Sequence, residues 1–134
     1  MRRRYWSSAK VRSFKLDYER VMEELKSYAE RSLTKGAKAV VLIGSLARGD
    51  HAAFSDADIL VLVEKSSKGP VDRIEDFIDP SLSLDQEPLV YAVDEFLEMA
   101  RERRKVVLEA VKYGKLLAGD SGILEKAREI LNSG

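Results

Sequence analysis

"GSLARGDHAAFSDADILVLVE", residues 44–64, ends in one apolar run, Ile59 to Val63, and follows directly on another, Ala39 to Ile43. Between the runs stand Gly44, Ser45, Arg48 and Gly49, then Asp56 and Asp58, two carboxylates separated by a single residue. AKAVVLIG and DADILVLVE are both short and rich in branched aliphatic residues, so they read as buried β-strands. In the second, Ile59, Val61 and Val63 alternate to one face, with Leu60 and Leu62 on the other. Neither run has a polar side, so both belong in the middle of a sheet, joined as a hairpin through the polar loop.

Upstream, Leu16, Val21, Met22, Leu25, Tyr28, Ala29 and Leu33 recur at steps of three and four, the spacing of an amphipathic helix. Gly36 is placed to end that helix, because glycine tolerates the left-handed conformation at a helix C-terminus. Downstream, VDRIEDFID reads as a short helix stopped by Pro80, and LSLDQEPLVYAV as a third strand. Pro88 cannot donate to a strand ladder, which predicts an edge position or a bulge for that strand. Asp94 is a candidate N-cap for one long helix or two abutting ones, with RERRK as a solvated face. YGKLLAGD adds a short strand, and Ser121 is placed to cap a last helix through Leu131. The expected fold class is α/β (α+β), a mixed sheet with helices packed on it. It divides into a basic arm at 1–15, one domain at 16–120 and a C-terminal helix at 121–134.

Composition narrows the function. A length of 134 residues suits one domain with a real core. Lys plus Arg and Asp plus Glu are equal at 23 each, so no global field holds nucleic acid or an anionic membrane. The chain has no cysteine, which removes disulfides, thiolate zinc sites and cysteine nucleophiles. Its apolar runs are too short to span a bilayer, and the Arg-rich start leads into no signal-peptide core, so a cytoplasmic protein is expected. MRRRYWSSAKVRSFK carries six basic residues and no acid, either a solvated terminus or an arm that touches RNA or a partner.

The polar loop carries the chemistry. At i and i+2 on a strand, Asp56 and Asp58 project to one face. Two like charges so placed raise one pKa or recruit a cation, and an all-oxygen pair suits a hard ion such as Mg²⁺. The alternative is a turn made by Ser55 and Asp56, with Asp58 exposed. Gly44 and Ser45 end a buried strand, where backbone N–H groups, a hydroxyl and a missing side chain admit a phosphate. Arg48 adds a bidentate cation, and Gly49 permits the sharp turn back. Glycine and serine at a strand end are also ordinary turn chemistry. Together, an anion cradle and a dicarboxylate on neighbouring strands suit a magnesium-bound nucleoside triphosphate.

Gly44, Ser45, ten intervening residues, then Asp56, Ala57 and Asp58 resemble the signature of the DNA polymerase β-like nucleotidyltransferases. The fuller form GSLARGDHAAFSDADILV is similar to the minimal nucleotidyltransferases of prokaryotes. The likeness extends more weakly from the first helix through VVLEAVKYGKLLAGD. It implies a nucleotidyltransferase fold in which Gly44 and Ser45, with Arg48 beside them, hold the triphosphate. Asp56 and Asp58 then ligate two Mg²⁺ ions. It further implies a third carboxylate on the next strand, where alignment of EPLVYA places Glu87, with Asp85 on the same strand face as the alternative. The implied reaction moves a nucleoside monophosphate, AMP from ATP, onto a hydroxyl of a protein or other acceptor. The implied setting is a toxin–antitoxin pair in which the partner is a helical HEPN protein.

Two other functions stay open. One is a non-catalytic nucleotide-binding subunit that neutralises a helical partner by complex formation. The other is an RNA-binding protein using residues 1–15, which the neutral overall charge makes least fitting. Among the remaining polar and aromatic residues, His51 falls in the loop as a solvated residue or a nucleotide contact. Tyr91 and Phe96 are either core or base-stacking groups, and Asp50 lies close enough to Arg48 to pair with it and compete with phosphate.

Overall fold

The computed structural model describes residues 2–49, 56–65, 69–82 and 85–133, with the side chains of 2–17, 56, 70 and 71 outside the description. In chain order the elements are α1 (Arg2–Thr34), β1 (Ala37–Ile43), α2 (Gly44–Ala47), β2 (Asp56–Val63) and α3 (Pro70–Ile74), which runs into a 3-10 turn (Glu75–Phe77). Then come β3 (Asp85–Ala92), α4 (Val93–Arg101), α5 (Lys105–Tyr113), β4 (Lys115–Gly119) and α6 (Gly122–Ser133).

The four strands form one mixed sheet in the order β3-β2-β1-β4. β1 is antiparallel to both β2 and β4, whereas β2 and β3 run parallel, with α3 in the crossover between them. The two apolar runs are therefore the two central strands. Val40, Val41, Leu42, Ile59, Leu60, Val61 and Leu62 are 0% exposed, so β1 and β2 are dry on both faces. β3, which carries Pro88, is an edge strand, where a missing N–H is tolerated.

Alternation along β2 separates two cores. Ile59, Val61 and Val63 face α1, packing with Val21, Leu25, Tyr28 and Ala29. Leu60 and Leu62 face the opposite side, against Phe96 and Ala100 of α4, Val107 and Ala110 of α5, and Ile123 and Ala127 of α6. Each fully buried Leu, Ile or Phe contributes about 1.5–3 kcal/mol. The sheet is held from both sides, and its centre has no freedom to shift register.

Gly36 ends α1 at φ +108°, a conformation open to glycine, with its N–H donating to the Leu33 carbonyl at 3.2 Å. The boundary expected at residue 15 falls inside α1, which begins at Arg2. The long downstream helix is two, because α4 closes in a Schellman turn. There the Arg103 N–H donates to Ala100 and the Arg104 N–H to Met99, each at 3.0 Å, with Arg103 at φ +57° where glycine is usual. RERRK is thus the exposed break between two helices and not a face of one. The cap of α4 is Ala92, whose N–H donates to Glu95 Oε1 at 2.7 Å, and Asp94 is the second helical residue. At α6 the carboxylate of Asp120, one residue before Ser121, accepts from the Gly122 N–H at 2.7 Å.

Candidate active site

Register brings the two ends of the polar loop together. Ile43, the last residue of β1, pairs with Asp58 near the start of β2. Gly44 follows at φ +77°, and a Cβ built there would fall on Asp58 Oδ2, with Asp58 Cγ at 3.1 Å. Only glycine meets both demands, the left-handed backbone and the bare approach to a carboxylate. Asp58 is half-buried at the rim of the second core, on the same strand face as Leu60 and Leu62.

The parallel pairing adds the next strand. Glu87 is the register partner of Asp58, and Asp85 that of Asp56. Neighbouring strands lie about 4.8 Å apart, so both carboxylates of β3 occupy positions adjoining the aspartate strand. Glu87 and Asp85 are exposed and share strand parity with Tyr91, which packs against the second core. The side chain of Asp56 lies outside the described residues.

Four-residue α2 turns the chain from Gly44 to Arg48, and the Arg48 N–H donates to the carbonyls of Gly44 and Ser45 at 3.2 and 3.1 Å. The Arg48 side chain folds back over that turn, donating from Nη2 to Ser45 Oγ at 3.3 Å and from Nη1 to Glu109 Oε1. Its guanidinium carbon also stands 5.7 Å from the centre of the Tyr113 ring. The described acidic partner of Arg48 is Glu109 of α5, whereas Asp50 lies outside the described residues. Glu109 and Tyr113 were not among the residues singled out in the sequence. Their spacing of four puts them on one helix face, but no local pattern says that α5 borders α2.

The start of β3 is tethered by polar contacts. The Gln86 carboxamide makes two 2.6 Å hydrogen bonds to the Asp79 backbone, accepting from its N–H and donating to its carbonyl. The Asp79 carboxylate accepts from the Ser81 hydroxyl and N–H at 2.6 and 2.9 Å and from Arg31 of α1 at 2.5 Å. The Ser81 hydroxyl, the Ser81 N–H and then Arg31 hold its pKa down at about 2, against an ordinary 3.8. Tyr28 donates to the Phe77 carbonyl at 2.5 Å, and burial pushes its phenol up to about 12. Past β3, the nearly buried Arg73 grips Glu95 with both Nη atoms at 2.6 and 3.3 Å and lowers the Glu95 pKa, with the Ala92 N–H assisting.

A family model for a nucleotidyltransferase domain matches residues 20–113. The chain belongs to the nucleotidyltransferase domain family. The match runs from within α1 to the end of α5, taking in the Gly44 turn, both strands of carboxylates and the Arg48 contacts. Two solved structures share this nucleotidyltransferase fold. One is described as a toxin–antitoxin with AMP-PNP, 21% identical over 81% of this chain and 85% of that one, with a TM-score of 0.57. The other is a mutant of the toxin–antitoxin MntA-HpeT, 20% identical over 83% of each chain, with a TM-score of 0.54. No curated protein matches the chain.

Phe96 is 0% exposed in the second core, so it is not available to stack on a base. Tyr91 is half-buried against that core. His51 and Ser55 lie outside the described residues. No described helix is long and apolar enough to cross a membrane. Among the described residues no group of three or more His, Asp or Glu forms a metal cluster, a set that leaves out the Asp56 carboxylate. The donors at this end of the sheet are carboxylates and a hydroxyl, a chemistry that fits a hard divalent cation such as Mg²⁺.

Proposed function

We propose that this chain transfers a nucleoside monophosphate, AMP from ATP, to a hydroxyl on a protein partner. The observation that carries the reading is the close approach of the Gly44 turn to Asp58, which sets the backbone of a glycine-serine turn directly against a carboxylate. Gly44 and Ser45 bind the triphosphate through backbone N–H groups and the Ser45 hydroxyl, and Arg48 supplies the positive charge. Asp56, Asp58 and Glu87 would hold Mg²⁺, two ions in the full site, which supplies charge neutralisation on the phosphates when bound. The acceptor oxygen forms a bond to the α-phosphorus, the α–β anhydride bond breaks, and pyrophosphate departs. Glu87, the exposed register partner of Asp58, takes the hydroxyl proton in this reading. Asp85 is the alternative third carboxylate.

The toxin–antitoxin setting of both structural neighbours, and the AMP-PNP in one, support an antitoxin role with an adenine nucleotide and a toxin partner. That the partner is a HEPN-type protein, met in the cytoplasm, rests on the sequence resemblance alone. Incubation with ATP labelled at the α-phosphate, Mg²⁺ and the product of the adjacent open reading frame tests this. Label covalently attached to that partner, and its loss in Asp58→Ala, is the expected result. Tight complex formation with nucleotide bound and no covalent label would instead make the chain a binding subunit.

A further inference from the structure

Taking the Gly44–Arg48 turn as the phosphate cradle, we propose that α5 supplies a two-residue clamp, Glu109 and Tyr113, which sets the Arg48 guanidinium over Ser45. Both are positioning residues that act through Arg48. They stand four apart on α5, so consecutive helical turns present a carboxylate and a ring face to the same guanidinium.

The clamp has a rigid base. Val107 and Ala110 of α5 are fully buried in the second core, and Gly114 ends the helix so close to β1 that a Cβ there would meet Val41 Cγ1 at 2.8 Å. α5 therefore cannot swing without disturbing a central strand. Counting donors shows what the clamp leaves for a ligand. A guanidinium has five N–H groups. Glu109 uses one on Nη1 and Ser45 one on Nη2, which leaves three for a phosphate. Because Ser45 Oγ accepts from Arg48, its own hydrogen points elsewhere and remains a donor to an anionic oxygen.

A carboxylate beside a phosphate site has an opposing effect, since it repels the anion. Two facts decide the sign. The Glu109 charge is already matched by Arg48, and the guanidinium stands 3.3 Å from Ser45 Oγ, so it is held at the cradle and not away from it. Fixing a long side chain in advance removes that ordering cost from the binding step.

ATP binding with Mg²⁺, measured by calorimetry alongside KM and kcat, provides the test. In Glu109→Ala, Kd and KM rise about tenfold with kcat little changed, the loss of one charge-assisted hydrogen bond. Glu109→Gln keeps the acceptor oxygen and stays within about threefold, as expected for a partly retained contact. In an Arg48→Ala background, Glu109→Ala adds nothing further. Equal or tighter binding by Glu109→Ala, or a loss that persists without Arg48, overturns the proposal. A readout without nucleotide separates it from the cradle reading. The Arg48 Nη signals in ¹⁵N spectra are resolved in the wild type and merge in Glu109→Ala. Merged signals in the wild type sink the clamp. Resolved signals in a wild type that binds no ATP uphold the clamp and sink the cradle.

Discussion

The two sides of the candidate site are held by different physics. The Gly44 turn and Asp58 sit at the ends of β1 and β2, strands that are dry on both faces and locked by two hydrophobic cores. Glu87 and Asp85 sit on β3, an edge strand with exposed Leu89, whose first residues are tethered by the Gln86–Asp79 and Arg31–Asp79 contacts. Burial is non-directional and cumulative, so the first side tolerates no displacement. The second is held by its ladder to β2 and by Val90 in the first core, with exchangeable polar contacts securing its first residues, which leaves those residues responsive to mutation and pH.

Gly44→Ala tests the rigid side and carries the largest expected effect. The methyl would fall on Asp58 Oδ2, and φ +77° adds backbone strain of about 1–3 kcal/mol. Since neither β1 nor β2 can shift, the carboxylate must turn away. Transfer activity is expected to fall about a hundredfold or more, as a misplacement near 1 Å does. Urea unfolding should show the accompanying loss of stability. Wild-type activity in this variant would mean that the turn and the carboxylate do not act together.

The edge side is sharpened by comparing its two carboxylates. Glu87 pairs in register with Asp58, whereas Asp85 pairs with Asp56 and is offset two residues along the strand from Asp58. Glu87→Gln is expected to lower kcat about a hundredfold or more, the usual cost of removing a general base. Asp85→Asn should stay within about tenfold, one hydrogen bond's worth. Both are exposed, so thermal stability should move little in either variant, and the reverse ranking of rates would transfer the role to Asp85.

What could be read locally was the rigid half of the molecule. Uninterrupted aliphatic runs declare central strands, alternation assigns Ile59 and Leu60 to opposite faces, and Pro88 marks an edge. Gly36 marks the end of α1 for the same reason, since one residue type carries the signal. The α4–α5 break was not legible because Arg103 adopts the left-handed conformation without being glycine, while apolar periodicity continues across it. The pairing of Arg48 with Glu109 spans 61 residues and depends on where α5 docks, which only the assembled core determines. Likewise the opposition of Glu87 and Asp58 is a property of parallel register, with no local sign in either strand.

The smallest expected effect lies in the tether of β3, and pH reaches it directly. Hydrogen bonds from the Ser81 hydroxyl and N–H, then Arg31, depress the Asp79 pKa to about 2 from 3.8. A folded-state pKa below the unfolded value stabilises the fold above the unfolded value and ceases to do so as pH drops through the folded one. Asp79 thus contributes fully above pH 3.8 and loses its contribution on the way down to about 2. Solvent screening at this surface pair reduces the contribution to about 1 kcal/mol. Asp79→Asn should therefore unfold at lower urea than wild type at neutral pH, with the gap closing as the solution is acidified through that window. Amide exchange should locate the change in β3 while β1 and β2 remain protected, because the two cores are apolar apart from the Tyr28 phenol, which keeps its proton throughout this window. A gap that persists unchanged through the acid window would mean that Asp79 holds β3 by shape and not by charge. The contrast between a dry half and a tethered half would then lose its electrostatic term.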